Sequence, residues 1–118
     1  MTHSILLKIL RADDWSAAQA GSDVLAPIDR TDGYVHFSTA ETVQETLNLW
    51  FAGVEDAYLI AFKAEDFSDT LKWEAAREGT LFPHVYGRVR ADQAIKVWKL
   101  DQMRDGAPVA PKNALEMT

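Results

Sequence analysis

Apolar residues in this chain fall into short alternating or continuous blocks, and one longer block carries helical spacing. Ser4 to Leu10 sets Ile5, Leu7 and Ile9 on one face of an extended segment and Leu6, Lys8 and Leu10 on the other. Both faces are mostly apolar, the pattern of an interior strand. Asp13 is placed to cap a short helix with Trp15 and Ala18 on one side and Gly21 as its stop. Ser22 to Arg30, which contains Pro27, reads as a loop or a brief extended piece. Asp32 to Glu41 then runs from a turn through a short strand into a helix start. Tyr34, His36 and Ser38 share one face of that strand, and Val35 and Phe37 take the core face.

A helix is expected from about Thr39 to Ala52, with Ala40, Val43, Leu47 and Trp50 at helical spacing and Gly53 ending it. Ala57 to Lys63 is the clearest strand, apolar on both faces and therefore central. Ala64 to Phe67 fits one helical turn, and Leu71 to Glu74 a short strand. The segment Gly79 to Gly87 is interrupted by Pro83, which has no N–H for a ladder, so an edge or structured loop is expected there rather than a central strand. Ala91 to Ala94 fits a turn and Ile95 to Leu100 a last strand with Val97 and Trp98. The end, with Asp105-Gly106, Pro108 and Pro111, reads as a turn, an extended piece and a fraying terminus. The order is β-α-β-α-β-β-β. It predicts a small single α+β domain with a mostly antiparallel sheet and two main helices, a core over residues 4–100 and an extended tail over 101–118.

Composition narrows the function classes. Twelve Lys and Arg against eighteen Asp and Glu give a net charge of −6 with no basic block, which argues against general nucleic-acid binding but leaves room for a small cationic pocket. With no cysteine, a disulfide framework and a thiolate metal site are excluded. No segment approaches the ~18 apolar residues of a membrane span, and no basic stretch leads into an apolar run at the N-terminus, so no membrane contact and a cytoplasmic location are expected.

Four groups carry candidate chemistry. His36 can bind a ribose hydroxyl or move a proton; it can also be a core histidine bonded to backbone. Ser38-Thr39-Ala40-Glu41 fits a capping box, which would occupy the Ser38 hydroxyl, and no nucleophile-elbow pattern surrounds it. His84, Tyr86 and Arg88 share a parity and resemble a ligand-binding loop, against the plainer reading of an edge loop packed on a sheet. Glu74 can serve as acid, base or charge stabiliser, or pair with Arg77 at the surface. A metal site from His36, His84 and Glu74 is chemically possible, though no His-x-x-x-His pairing supports it and no metal is assigned. A metal-dependent hydrolase is accordingly the least favoured reading.

Leu7-Lys8-Ile9-Leu10 leading to Asp14-Trp15, then Asp32 to Thr39, Trp73-Glu74 and Leu81 to Gly87, resemble a family of small bacterial proteins catalogued as domain of unknown function 952. The resemblance covers about residues 5–100. It implies a relation to the ADP-ribosyltransferase fold, a compact α+β domain with a split sheet around an NAD cleft. One branch of that superfamily carries His-Gly-Ser or His-Gly-Thr on an early strand. His36 and Ser38 match its first and third positions, and Phe37 stands where that branch has glycine. By the resemblance His36 would bond the ribose of NAD and Ser38 its nicotinamide amide. Together with the residue reading, in which Glu74 enters by its chemistry and His84 and Tyr86 by their loop, the expected site has His36 and Glu74 as catalytic residues and His36, Ser38, His84 and Tyr86 as binding residues. ADP-ribosyl transfer or a related ribose-directed reaction is the implied activity. The alternative is a non-catalytic module that binds a small molecule or peptide.

Overall fold

The computed structural model describes residues 3–117, apart from the side chain of Arg77. In chain order its elements are β1 (Ile5–Arg11), α1 (Ala12–Gln19), α2 (Pro27–Asp32), β2 (Val35–His36), α3 (Val43–Trp50), β3 (Ala57–Lys63), β4 (Leu71–Ala75), β5 (Leu81–Val85), β6 (Ala94–Lys99), β7 (Met103–Arg104), β8 (Ala107–Pro108) and α4 (Lys112–Leu115). Two three-stranded antiparallel sheets result, ordered β1-β3-β6 and β2-β5-β4, with β7-β8 as a separate hairpin. An antiparallel bridge between Leu7 and Ser38 links the two larger sheets.

Alternation along β1 and β3 explains the layering. Leu6, Leu10, Ile60 and Phe62 point into a cluster with Trp15 and Ala18 of α1 and with Val35, Phe37 and Val85 of the second sheet. Leu7, Ile9, Leu59 and Ala61 point the other way, onto Val43 and Leu47 of α3 and onto Leu100, Ala110 and Ala114. β1 and β3 are therefore buried on both faces, β3 is the middle strand, and β6 is a largely exposed edge. The second sheet keeps its inner face in the first cluster and turns its outer face outward, since successive residues alternate sides.

Several local expectations are corrected. Pro27 starts a helix, as N1 prolines do where the missing N–H has no intrahelical role, so 27–32 is α2 and not a loop. Asp13 lies inside the first turn of α1; the N-cap is Arg11, without a side-chain cap bond. The Ser38–Glu41 capping box does not form. Ser38 exchanges backbone bonds with Leu7 (2.7 and 2.8 Å), the capping contact moves to Thr39 N–H donating to Thr42 Oγ1 (3.0 Å), and α3 begins only at Val43. Glu41 instead meets His3 at 3.2 Å. Trp50, expected on the core face, is 70% exposed, because the helix ends there and Phe51 is the aromatic that packs on the cluster.

β5 is the middle strand of its sheet despite Pro83. In an antiparallel strand a residue's N–H and C=O point to the same neighbour. The Pro83 carbonyl accepts from Phe37 N–H (3.0 Å), so the missing N–H also faces the β2 side, just where that two-residue strand ends. One ladder bond is lost and no more. The C-terminal residues are not an extended tail: Asp105 and Gly106 turn the β7-β8 hairpin at positive φ (53° and 84°), and Ala107, Ala110 and Ala114 are buried. Among the described residues there are four α-helices, of which α1 and α3, the two main helices expected, are the longest.

Candidate functional site

Register on the second sheet assembles the outer face. His36 lies directly opposite His84, and His84 opposite Lys72. Tyr34 and Tyr86 flank the two histidines, and Glu74 sits diagonally across from His84. The Tyr34 ring covers this row, with its centroid 4.5 Å from that of His36, 4.3 Å from His84 and 5.0 Å from Tyr86. The two imidazoles are 5.3 Å apart, edge to face. Lys72 Nζ stands 5.0 Å over the Tyr86 ring.

Beneath this face is a buried charge network. Asp29, in α2, has a fully buried side chain. Its Oδ2 accepts from Ala26 N–H (2.7 Å) and from Lys8 Nζ (2.7 Å), and its Oδ1 from His36 N–H (3.0 Å) and His36 Nδ1 (2.7 Å). Burial works against its charge, but the bond from His36, the Lys8 ammonium and the Ala26 N–H hold its carboxyl down at about 2. Lys8, on the face of β1 that carries Leu6 and Leu10, is equally buried and also donates to the His36 carbonyl (2.8 Å). Burial pushes its ammonium pKa below the usual lysine range, and Asp29 opposes that. Lys8 thus ties the first sheet to the backbone that carries His36.

His36 has a second carboxylate. Its Nε2 lies 3.0 Å from Asp32 Oδ2, so both ring nitrogens face acids, and both contacts are hydrogen bonds only when the ring carries both protons. His84 is held differently. Glu74 Oε1 accepts from His84 Nδ1 and from Tyr86 Oη, each at 2.7 Å. The Tyr86 and His84 bonds lower the Glu74 pKa below the ordinary glutamate range. Its carboxylate reciprocally pushes the Tyr86 phenol up to about 12. The Tyr34 phenol is raised by burial and by the charges of Asp32, Glu74 and Asp29.

The residues singled out from sequence therefore divide. His36, Glu74, His84 and Tyr86 come together on one face. Ser38 is two residues from His36 on the same strand parity but is buried and paired with Leu7. Arg88 turns away to Asp23, with Nε at 2.9 Å and Nη2 at 2.8 Å. The proposed partner of Glu74, the Arg77 side chain, lies outside the described residues. Among the described residues no three His, Asp or Glu side chains are grouped so as to hold a metal ion. Lys8, Asp29 and Asp32 were missed as site residues. Lys8, the one charge in an apolar strand, was the available signal. Among the described residues no helix is long and apolar enough to cross a membrane.

The model of a protein family of unknown function, DUF952, matches residues 9–97. The crystal structure of protein CC0527 from Caulobacter crescentus is 36% identical, with a TM-score of 0.84 over 90% of this chain and 94% of that one. The solution NMR structure of CC0527 is 37% identical, with a TM-score of 0.77 over 88% and 90%. Among curated proteins none matches the chain.

Proposed function

The chain belongs to the DUF952 family of proteins of unknown function, and from that premise we propose that the outer face of the second sheet binds a nucleotide-type ligand at its ribose. NAD-dependent ADP-ribosyl transfer, or a related cleavage at that ribose, is the proposed reaction. One observation carries the reading: two cross-strand histidines, each held by a carboxylate, lie beside an ionised glutamate whose side chain is 38% exposed. Breaking a ribosyl bond develops positive charge on the sugar. Fixed carboxylates in a partly desolvated site stabilise such charge without reorganising. Glu74 is placed for that role, and Tyr34 and Tyr86 offer aromatic faces to a nicotinamide or adenine ring.

The resemblance to His-Gly-Ser and His-Gly-Thr strands, and through it to the ADP-ribosyltransferase fold, supports the same reading at His36 and Ser38. Phe37 does not count against it. Its side chain is buried against Phe62 and Phe67 and stays out of the face. The acidic side chains suit the cationic half of NAD, and Lys72 is a cation within reach of a pyrophosphate.

The test is a titration of the labelled protein with millimolar NAD and ADP-ribose, following backbone amides by NMR. Shifts centred on His36, Ser38, His84 and Tyr86 are expected. Unmoved signals at His36 and His84 end the reading. A non-catalytic binding module is the second reading, and the occupation of both His36 ring nitrogens by Asp29 and Asp32 favours it. Ligand binding without turnover, in both the native protein and His36→Ala, would decide for the module.

A further inference from the structure

The two histidines on this face are not equivalent. Both ring nitrogens of His36 lie within 3.0 Å of a carboxylate oxygen. His84 gives only Nδ1, to Glu74 Oε1, which also accepts the Tyr86 hydroxyl. A carboxylate bonded at Nδ1 fixes the tautomer with the proton on that nitrogen and a lone pair on Nε2. Among the described residues His84 Nε2 has no hydrogen-bond partner. The one buried side-chain polar atom left unpartnered there is Trp98 Nε1, so His84 Nε2 is reached by solvent.

We infer that His84 is the general base of the site, with Glu74 and Tyr86 as its positioning residues, and that the acceptor is a small O–H nucleophile, water or a simple alcohol. This rests on the ribose-directed reading above. The His84 side chain is only 7% exposed, so little of its ring can meet an acceptor, which favours a small one. A hydroxyl gains from a base because it must lose its proton as it bonds. An anionic carboxylate or thiolate acceptor needs none and is repelled by Asp32 and Glu74. In the reaction the ribose C1′–nitrogen bond breaks and its electron pair passes to the nicotinamide nitrogen, which becomes neutral. The water oxygen bonds to C1′, and the water proton goes to His84 Nε2 and then to solvent. The products are ADP-ribose, nicotinamide and a proton, with no change of oxidation state.

The experiment incubates the full chain with NAD, with and without methanol, and identifies products by mass. NAD binding is measured in parallel by calorimetry. ADP-ribose is expected, accompanied in methanol by its methyl riboside. His84→Gln should lower kcat by about 10²–10⁴-fold, well beyond any weakening of NAD binding. Glu74→Ala should remove the preference for Nδ1–H from the ¹⁵N imidazole signals of His84, as a positioning role requires. Bound NAD with no turnover, or with turnover unaffected by His84→Gln, overturns the assignment. Absence of binding by the native protein overturns the underlying reading and the assignment with it. The native protein's ¹⁵N imidazole spectrum at mildly alkaline pH guards against a misfolded variant: a His84 ring protonated at Nε2 rather than Nδ1 also overturns the assignment.

Discussion

Replacing Asp29 by Asn should be among the most damaging single changes in this protein, and replacing Lys8 as well should add little further damage. Asp29 meets four donors with two oxygens in a fully buried position. Asn keeps one oxygen and turns the other into a donor. Whichever way the amide faces, two donors meet a third, and the Lys8 ammonium loses its counter-ion at 3% exposure. Breaking a buried ion pair from one side costs about 3–5 kcal/mol. Lys8→Met removes the charge, keeps most of the volume and leaves Asp29 three donors. Its cost, chiefly the lost bonds to Asp29 and to the His36 carbonyl, should be about 1–3 kcal/mol. In the double variant no charge is stranded, so the total should fall short of the sum by about 2 kcal/mol. Urea unfolding with unchanged m-values measures all four corners of the cycle. Costs that add to within about 0.5 kcal/mol would refute the idea that this pair acts as a unit.

Acid should expose the same network. The Asp29 pKa in the folded protein is lowered to about 2 from an ordinary 3.8, so its contribution is complete above the ordinary value and is lost as pH falls through that window to about 2. At 1.36 kcal/mol per unit this is about 2 kcal/mol, and a stability–pH curve of Asp29→Asn should lack that slope. At the alkaline end, the Tyr86 phenol should ionise near 12 in an ultraviolet titration, and Glu74→Gln should bring it down. Gly87→Ala should cost about 1–3 kcal/mol in urea melts, because a Cβ there would meet Thr70 Cγ2 at 2.8 Å, and Thr70→Ala should recover part of the loss. Trp50→Gln, at a 70% exposed position, should stay within about 0.5 kcal/mol of the native protein.

What could be read from the sequence was what each segment says about itself. β3 announces its central place because a strand apolar on both faces has to be covered on both. Val35 and Phe37 announce the core side of their strand by alternation, and both are buried. α2 was hidden because Ile28 is its single large apolar residue, so no apolar period marks its six residues. Its signals were positional: proline at N1 and an acid at N3 reaching back to Ala26 N–H. Pro83 misled for a related reason. The rule that keeps proline off central strands assumes a full-length neighbour on the N–H side, and β2 stops short of that bond.

The site shows where such reading ends. His36, Glu74, His84 and Tyr86 each stood out in their own segments, but whether they meet depends on the register of β2, β4 and β5, which no one segment specifies. Lys8 looked like an incidental charge between Leu6 and Leu10, and Asp29 like a loop acid. Each is explained through the other, since the Lys8 ammonium needs a carboxylate at that depth and Asp29 takes one of its four donors from Lys8. Together they fix the His36 backbone from below: Asp29 takes its N–H and Lys8 holds its carbonyl. The orientation of the His36 ring is therefore built on a pair whose disruption from one side is costly to the fold. Any substitution that loosens the site through Asp29 must weaken the fold as well, whereas Glu74 and Tyr86 can be altered with little effect on the core. Loss of activity at those two positions would thus report on chemistry, and loss at Asp29 on both chemistry and stability.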